Sequence, residues 1–385
     1  MQPMTNMKHA LAALLIAGAA APALAGPIIN LIDIGGVTGS PAQLGFQIAA
    51  NYWESVLSNN VVLNFNVGFA PLGPGILGGT SSTLAEYVPI STYYSVLAAT
   101  GTSALDAKAL AHLSPLSATG SVAVKVPAYV DPASATGIAA SGTRTAPDGT
   151  AISSTIALSS ANVKALVGGY ETTIDGTIQF SSTFAFDFNP TDGITAGSYD
   201  FIGVAVHEMG HALGFLSAAD DFDYSVGGGV AVDDGWWGYG MDMFRYSAPG
   251  VLDWNFNTNS YFSIDGGVTA YQNGYFSTGE NFGDGWQASH WKAPSAAPYC
   301  SNLLGIMNPY ICGGTGDSVT GLDLALFDAI GWNLNVDLAT NPTYTYSTSQ
   351  MYSAAVPEPG SWALLVAGVG LMGLSRRRQR SGGNA

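Results

Sequence analysis

Only two cysteines, Cys300 and Cys312, occur in 385 residues, so one disulfide at most can assist a fold that must rest on buried apolar surface. Cations are also scarce: Lys and Arg number 11 against 27 Asp and Glu. Five of the 11 lie at the ends, as Lys8, Arg376, Arg377, Arg378 and Arg380. Between the ends about six cations face 26 carboxylates, a net charge near −20, which argues against nucleic acid and anionic membrane surfaces as partners. No unit of 20 to 50 residues repeats, so a solenoid is not indicated. Disorder is excluded as well, because Trp, Tyr, Phe and β-branched residues run throughout. What remains is a chain of ~330 residues, long enough for one large domain or two lobes around a cleft.

Both termini carry messages of their own. Residues 1–25 have a short polar lead with Lys8, an apolar stretch from Ala10 to Ala20 and an Ala23-Leu24-Ala25 step into Gly26, the build of a secretory signal peptide. At the other end, Val356-Pro357-Glu358-Pro359-Gly360 precedes an apolar run from Ser361 to Leu374 and then Ser375-Arg376-Arg377-Arg378-Gln379-Arg380. That run is shorter than the ~17 to 25 residues that span a bilayer comfortably, and the arginines would hold their side in the cytoplasm. Residues 356–385 resemble the sorting tag of PEP-CTERM proteins of Gram-negative bacteria. The resemblance implies transient membrane anchoring, removal by an exosortase-type enzyme near Pro357, and delivery to the cell surface or beyond.

Between the ends, Pro41 to Leu57 places Leu44, Ile48, Trp53, Val56 and Leu57 near one helical face, and Val61 to Val67 then alternates like a strand. A Gly- and Ser-rich link from Gly73 to Ser82 follows, then a helix from Ser103 to Leu113 and strands near Ser121–Tyr129 and Thr177–Phe188. From Asp221 to Gln287 Gly and aromatic residues dominate, which reads as a long ordered insertion with short strands. The acidic group Asp220, Asp221 and Asp223 at its start is of the type that ligates calcium (Ca2+), with an ordinary solvated loop as the plainer reading.

The chemistry concentrates in Tyr199 to Phe215, which contains His207-Glu208-Met209-Gly210-His211-Ala212-Leu213-Gly214. Ser198 is placed to cap this helix, with Asp200 in its first turn. Four residues separate the histidines, so both imidazoles project from one face a turn apart and can share one ion. Hydrolysis of an amide at neutral pH needs a nucleophile stronger than free water, which zinc (Zn2+) supplies by acidifying its water. Glu208 is then the general base that moves the proton to the leaving amine. Gly214 lets the helix stop and the chain turn, so that a third ligand can approach from beyond it.

The third ligand is the open point. Ser217 occupies the position used in the common short motif, and a neutral hydroxyl is a poor zinc ligand. His112 belongs to a helix-like stretch with a structural or surface role. His290, in Ala288-Ser289-His290-Trp291-Lys292, lies 17 residues before Met307 of Gly305-Ile306-Met307-Asn308-Pro309-Tyr310. Asp220, Asp221 and Glu280 are the alternatives. The order H-E-M-G-H-A-L-G-F, long insertion, S-H-W-K, I-M-N-P and a closing helix, Leu322 to Trp332, resembles the leishmanolysin family of metzincin zinc peptidases, in which an insertion displaces the third histidine downstream.

That resemblance implies an α+β metzincin-like catalytic domain: a mixed-sheet N-lobe with the active-site helix (26–217), then an irregular C-lobe (218–340) with third ligand His290 and Met307 in a turn beneath the metal. A linker (341–355) would join it to the sorting segment. Tyr310 is a candidate donor to the oxyanion, and protein or peptide is the implied substrate. The family is cysteine-rich, whereas this chain has no cysteine before the active helix, which excludes a cysteine latch. Cys300 and Cys312 bracket Met307 and in an exported protein are expected to pair. The competing class is a non-catalytic surface or matrix protein stabilised by zinc.

Overall fold

A computed structural model describes residues 26–294, 300 and 302–356. The expected signal peptide and the sorting segment from 357 onward lie outside them. The fold is α+β, with several sheets and helices.

β1 (Ile28–Gly35) and β2 (Val62–Ala70) run parallel, with Ile28 opposite Val62. A parallel pair needs a crossover, and α1 (Pro41–Val56) supplies it. Leu63, Phe65 and Val67 of β2 alternate into the core. The strand Gly176–Ser181 lies parallel to β2, and β3 (Gly78–Ser82) closes the sheet as an antiparallel edge, with Gly78 opposite Phe180.

The buried face of α1 differs by one residue from the expected one. Ile48, Trp53, Val56 and Leu57 are buried, but Leu44 is 43% exposed. Its neighbour Gly45 makes the contact instead: a Cβ there would stand 2.3 Å from the Phe201 ring, so the close approach turns Leu44 to solvent. The Gly- and Ser-rich link also proved structured from residue 78. Small residues let β3 lie directly on the helix that carries His207 and His211, with Gly78 against Val204 and Glu208.

Before the histidine-bearing helix come α2 (Ile90–Thr100), α3 (Ala104–Ala111), the single turn α4 (Ala151–Ser154) and α5 (Ser160–Val167). The helix itself, α6 (Phe201–Ala212), packs on α1 and β3, and Trp53 Nε1 donates to the Val206 carbonyl at 3.2 Å. α7 (Ala218–Tyr224), α8 (Gly321–Ala329) and α9 (Thr348–Ala355) follow. The strand expected at 121–129 is confined to Val124–Pro127, and the one at 177–188 is broken into Gly176–Ser181 and Phe186–Asp187.

The insertion does not form a lobe apart. Its strand Val251–Asp253 pairs with Val124–Pro127, Gly238–Tyr239 with Thr155–Ser159, and Gly227–Ala231 with Thr136–Ile138. The division at residue 217 therefore cuts across shared sheets. The expected linker 341–355 is also part of the fold: Thr345–Ser347 pairs with Ser318–Thr320, and α9 packs on α1. Its apolar Met351 is buried, and Thr348 Oγ1 donates to Asp200 Oδ2 at 2.5 Å. No helix among the described residues is long and apolar enough to cross a membrane.

Candidate metal centre

Asp200, not Ser198, caps α6. Its Oδ1 accepts from the Gly203 N–H at 3.1 Å, and a carboxylate at this end also meets the positive pole of the helix. At the other end Gly214 has φ +113°. Gly214 N–H donates to His211 O at 3.0 Å and Phe215 N–H to Gly210 O at 3.2 Å, which is the paired closure of a Schellman motif. A Cβ at Gly214 would stand 2.0 Å from Asn162 Oδ1, so both backbone and space demand glycine. The reversal brings the Phe215 carbonyl back to accept from His211 Nδ1 at 2.9 Å.

The other two imidazoles are oriented by different segments. His207 Nδ1 donates to Ile306 O at 2.8 Å, and His290 Nδ1 to Gln287 O at 3.2 Å. A carbonyl can only accept, so each ring carries its proton on Nδ1 and a lone pair on Nε2. The three Nε2 atoms converge, at 3.1 Å for His211–His207, 3.1 Å for His211–His290 and 3.3 Å for His207–His290. Three acceptors with no donor between them repel. Protonation is a poor remedy, because burial pushes His207 down to about 4, His211 down to about 3 with the help of His207, and His290 well below its ordinary value. A cation fits instead: zinc at ~2.0–2.1 Å from three nitrogens in tetrahedral geometry sets them about 3.3 Å apart. Among the described residues, these histidines form the one such ligand group.

Glu208 lies on the same helix, buried, with a carboxyl pushed up to about 7 by burial and partly restrained by Thr80. The Thr80 hydroxyl reaches Glu208 Oε2 at 2.7 Å and the Glu208 carbonyl at 2.9 Å, and Ser82, two residues along β3, donates to His211 O at 3.0 Å. Met307 is fully buried, its Sδ 2.5 Å from where a Gly210 Cβ would be. The turn that carries it is gripped by Asp323, which accepts from the N–H groups of Ile306 and Met307 and from Trp291 Nε1 at 2.7 Å. Cys300 and Cys312 form a disulfide across this turn, with Cα atoms 5.9 Å apart.

The remaining candidates stand elsewhere. Ser217 caps α7 and donates to Asp242 Oδ1 at 2.6 Å. The acidic group does not converge: Asp220 accepts from Ala288 and Ser289, Asp221 from Tyr239, and Asp223 from Asn281 and Phe282. Glu280 is exposed and accepts from Tyr224. These bonds account for each carboxylate, and neither the aspartates nor Glu280 joins the histidine cluster. His112 ends α3 at the surface, bonded to Lys108 O. Tyr310 packs on Trp286, ring centroids 5.2 Å apart. Thr80 and Asp323 escaped sequence reading. Thr80 sits in a segment too poor in apolar residues to announce a strand, whereas Thr320 followed by Asp323 is a legible capping box.

Residues 355–379 match the PEP-CTERM protein-sorting motif, which thus begins at the last residue of α9. The match implies export, surface sorting in a Gram-negative bacterium and processing by an exosortase-type enzyme. No curated protein and no solved structure matches the chain.

Proposed function

We propose that this protein is an exported zinc-dependent endopeptidase of the metzincin type, with His207, His211 and His290 as metal ligands and Glu208 as general base. The observation that carries this reading is the convergence of three Nε2 lone pairs on one point beside a buried, hydrogen-bonded carboxylate. A divalent ion held there supplies Lewis acidity and acidifies water. Glu208, lifted toward neutrality by its burial, takes a proton from the attacking water and returns it to the leaving amine. Thr80 holds the carboxylate so that one oxygen stays directed while the other is available. The outer edge of β3 has no partner strand among the described residues. An extended peptide can add to such an edge, which favours a peptide over other amides.

A structural zinc would prefer four protein ligands and would need no base. Elemental analysis and casein hydrolysis by purified wild type and Glu208→Gln separate the readings. About one zinc per chain in both, with hydrolysis at least ~100-fold weaker in the variant, is expected for a general base. Equal hydrolysis by the variant, or a wild type without zinc, overturns the proposal.

A further inference from the structure

The third imidazole belongs to a segment with little regular structure, yet its backbone is gripped from two sides. Asp220, on α7, accepts from the N–H of Ala288 and, at 2.9 Å, from that of Ser289. Arg245 Nη1 donates to the Ala288 carbonyl at 3.2 Å and its Nη2 to the Ser277 carbonyl at 3.1 Å. Ser277 N–H in turn donates to the His290 carbonyl at 2.9 Å. The guanidinium is fully buried over the Phe276 ring, 4.8 Å from its centroid. Asp242, Asp253, Asp220 and Asp284 surround it, but none forms an ion pair with it.

A buried cation without a salt-bridge partner is an expensive way to gain stability. Its two terminal nitrogens are spent on the carbonyls of Ala288, two residues before His290, and of Ser277, whose own N–H donates to the His290 carbonyl. Resting on the metal-site reading above, we propose that Asp220 and Arg245 are positioning residues for His290: together they hold Ala288 by its N–H and its carbonyl and set where the third imidazole meets the other two. The path is short. From His211 the chain stops at Gly214, Ser217 caps α7, and Asp220, nine residues after the second ligand, grips the two residues before the third. A carboxylate accepts two N–H groups side by side, which an amide cannot do without turning its NH2 toward one of them.

The test uses the full chain and four variants: Asp220→Asn, Arg245→Met, His290→Ala, and Asp221→Asn as a control on the same helix whose carboxylate serves Tyr239 instead. Zinc affinity is measured by competition with a chromophoric chelator, and backbone hydrogen exchange over 286–291 is measured on metal-free protein. Asp220→Asn and Arg245→Met should weaken zinc binding by about 10- to 100-fold, as loss of a group that orients a ligand does. Both should speed exchange at 288 and 289, whereas Asp221→Asn changes neither. His290→Ala should lose zinc and keep the exchange protection. Wild-type affinity and exchange in Asp220→Asn overturn the positioning role. A wild type that binds no zinc overturns the metal reading itself, and the exchange measured without metal tells that failure from failure of the clamp.

Discussion

One hydroxyl, that of Thr80, has a single proton to offer and two oxygens of Glu208 within reach, at 2.7 and 2.9 Å. Removing it frees the carboxylate without touching an imidazole. Thr80→Val should therefore retain zinc and lose activity on the order of tenfold, while Thr80→Ser should recover most of it; kcat and metal content measured together decide the matter. The contrast with Gly214 is instructive. Gly214→Ala meets both a positive φ and the Asn162 amide, so it should destabilise the fold by a few kcal/mol, about 2 or more, visible as a lower unfolding midpoint. Gly214 was legible in the sequence because the chemistry of a helix stop requires it. Thr80 was not, since nothing in Gly78-Gly79-Thr80-Ser81-Ser82 foretells which helix a strand of small residues will cover.

Helix against helix, α8 meets α3 through an acid. Asp328 Oδ2 accepts from Ser103 Oγ at 2.6 Å, and burial followed by the charge of Asp106 pushes its carboxyl up to about 7. A folded value raised above the unfolded 3.8 means that the stabilising contribution is complete below that lower value and is lost as pH rises through the folded one. Asp328→Asn removes the titration, so wild type should lose stability relative to the variant as pH rises from about 4 to about 7 and no further above that. The expected change is about 1–3 kcal/mol, read from thermal unfolding across that range. At this scale the sequence marks α1, α6 and α8 well, because periodic apolar residues and caps are local signals. It marks the insertion poorly: Val251–Asp253 pairs with Val124–Pro127, a partnership written in neither segment. The Asp200 cap was displaced by two residues for a similar reason, since its second oxygen is engaged by Thr348 from the far end of the chain.

Across the whole molecule the fold continues to Val356, and the sorting motif starts at Ala355. Removal of the tag near Pro357 should then leave the unfolding midpoint unchanged, whereas truncation after Thr340 strips α9 from α1 and leaves Asp200 without its hydroxyl donor. The shorter chain should unfold several degrees lower by circular dichroism. The histidine pair was readable as a unit because a helix brings i and i+4 together, and His290 was readable only through its place before Met307. What joins them is long range: 83 residues separate His207 from His290, and 99 separate His207 from the carbonyl that orients it. Such separations have a kinetic meaning. Local helices form in microseconds, while contacts across long loops wait for closure of the chain between them. A ribosome adding ~5–20 residues per second releases the first two histidines several seconds ahead of the third and of the turn beneath them. The three-histidine cluster thus cannot assemble until His290 and the Ile306 carbonyl have been made, and in refolding the visible absorption of cobalt added as a probe should lag the far-ultraviolet helix signal.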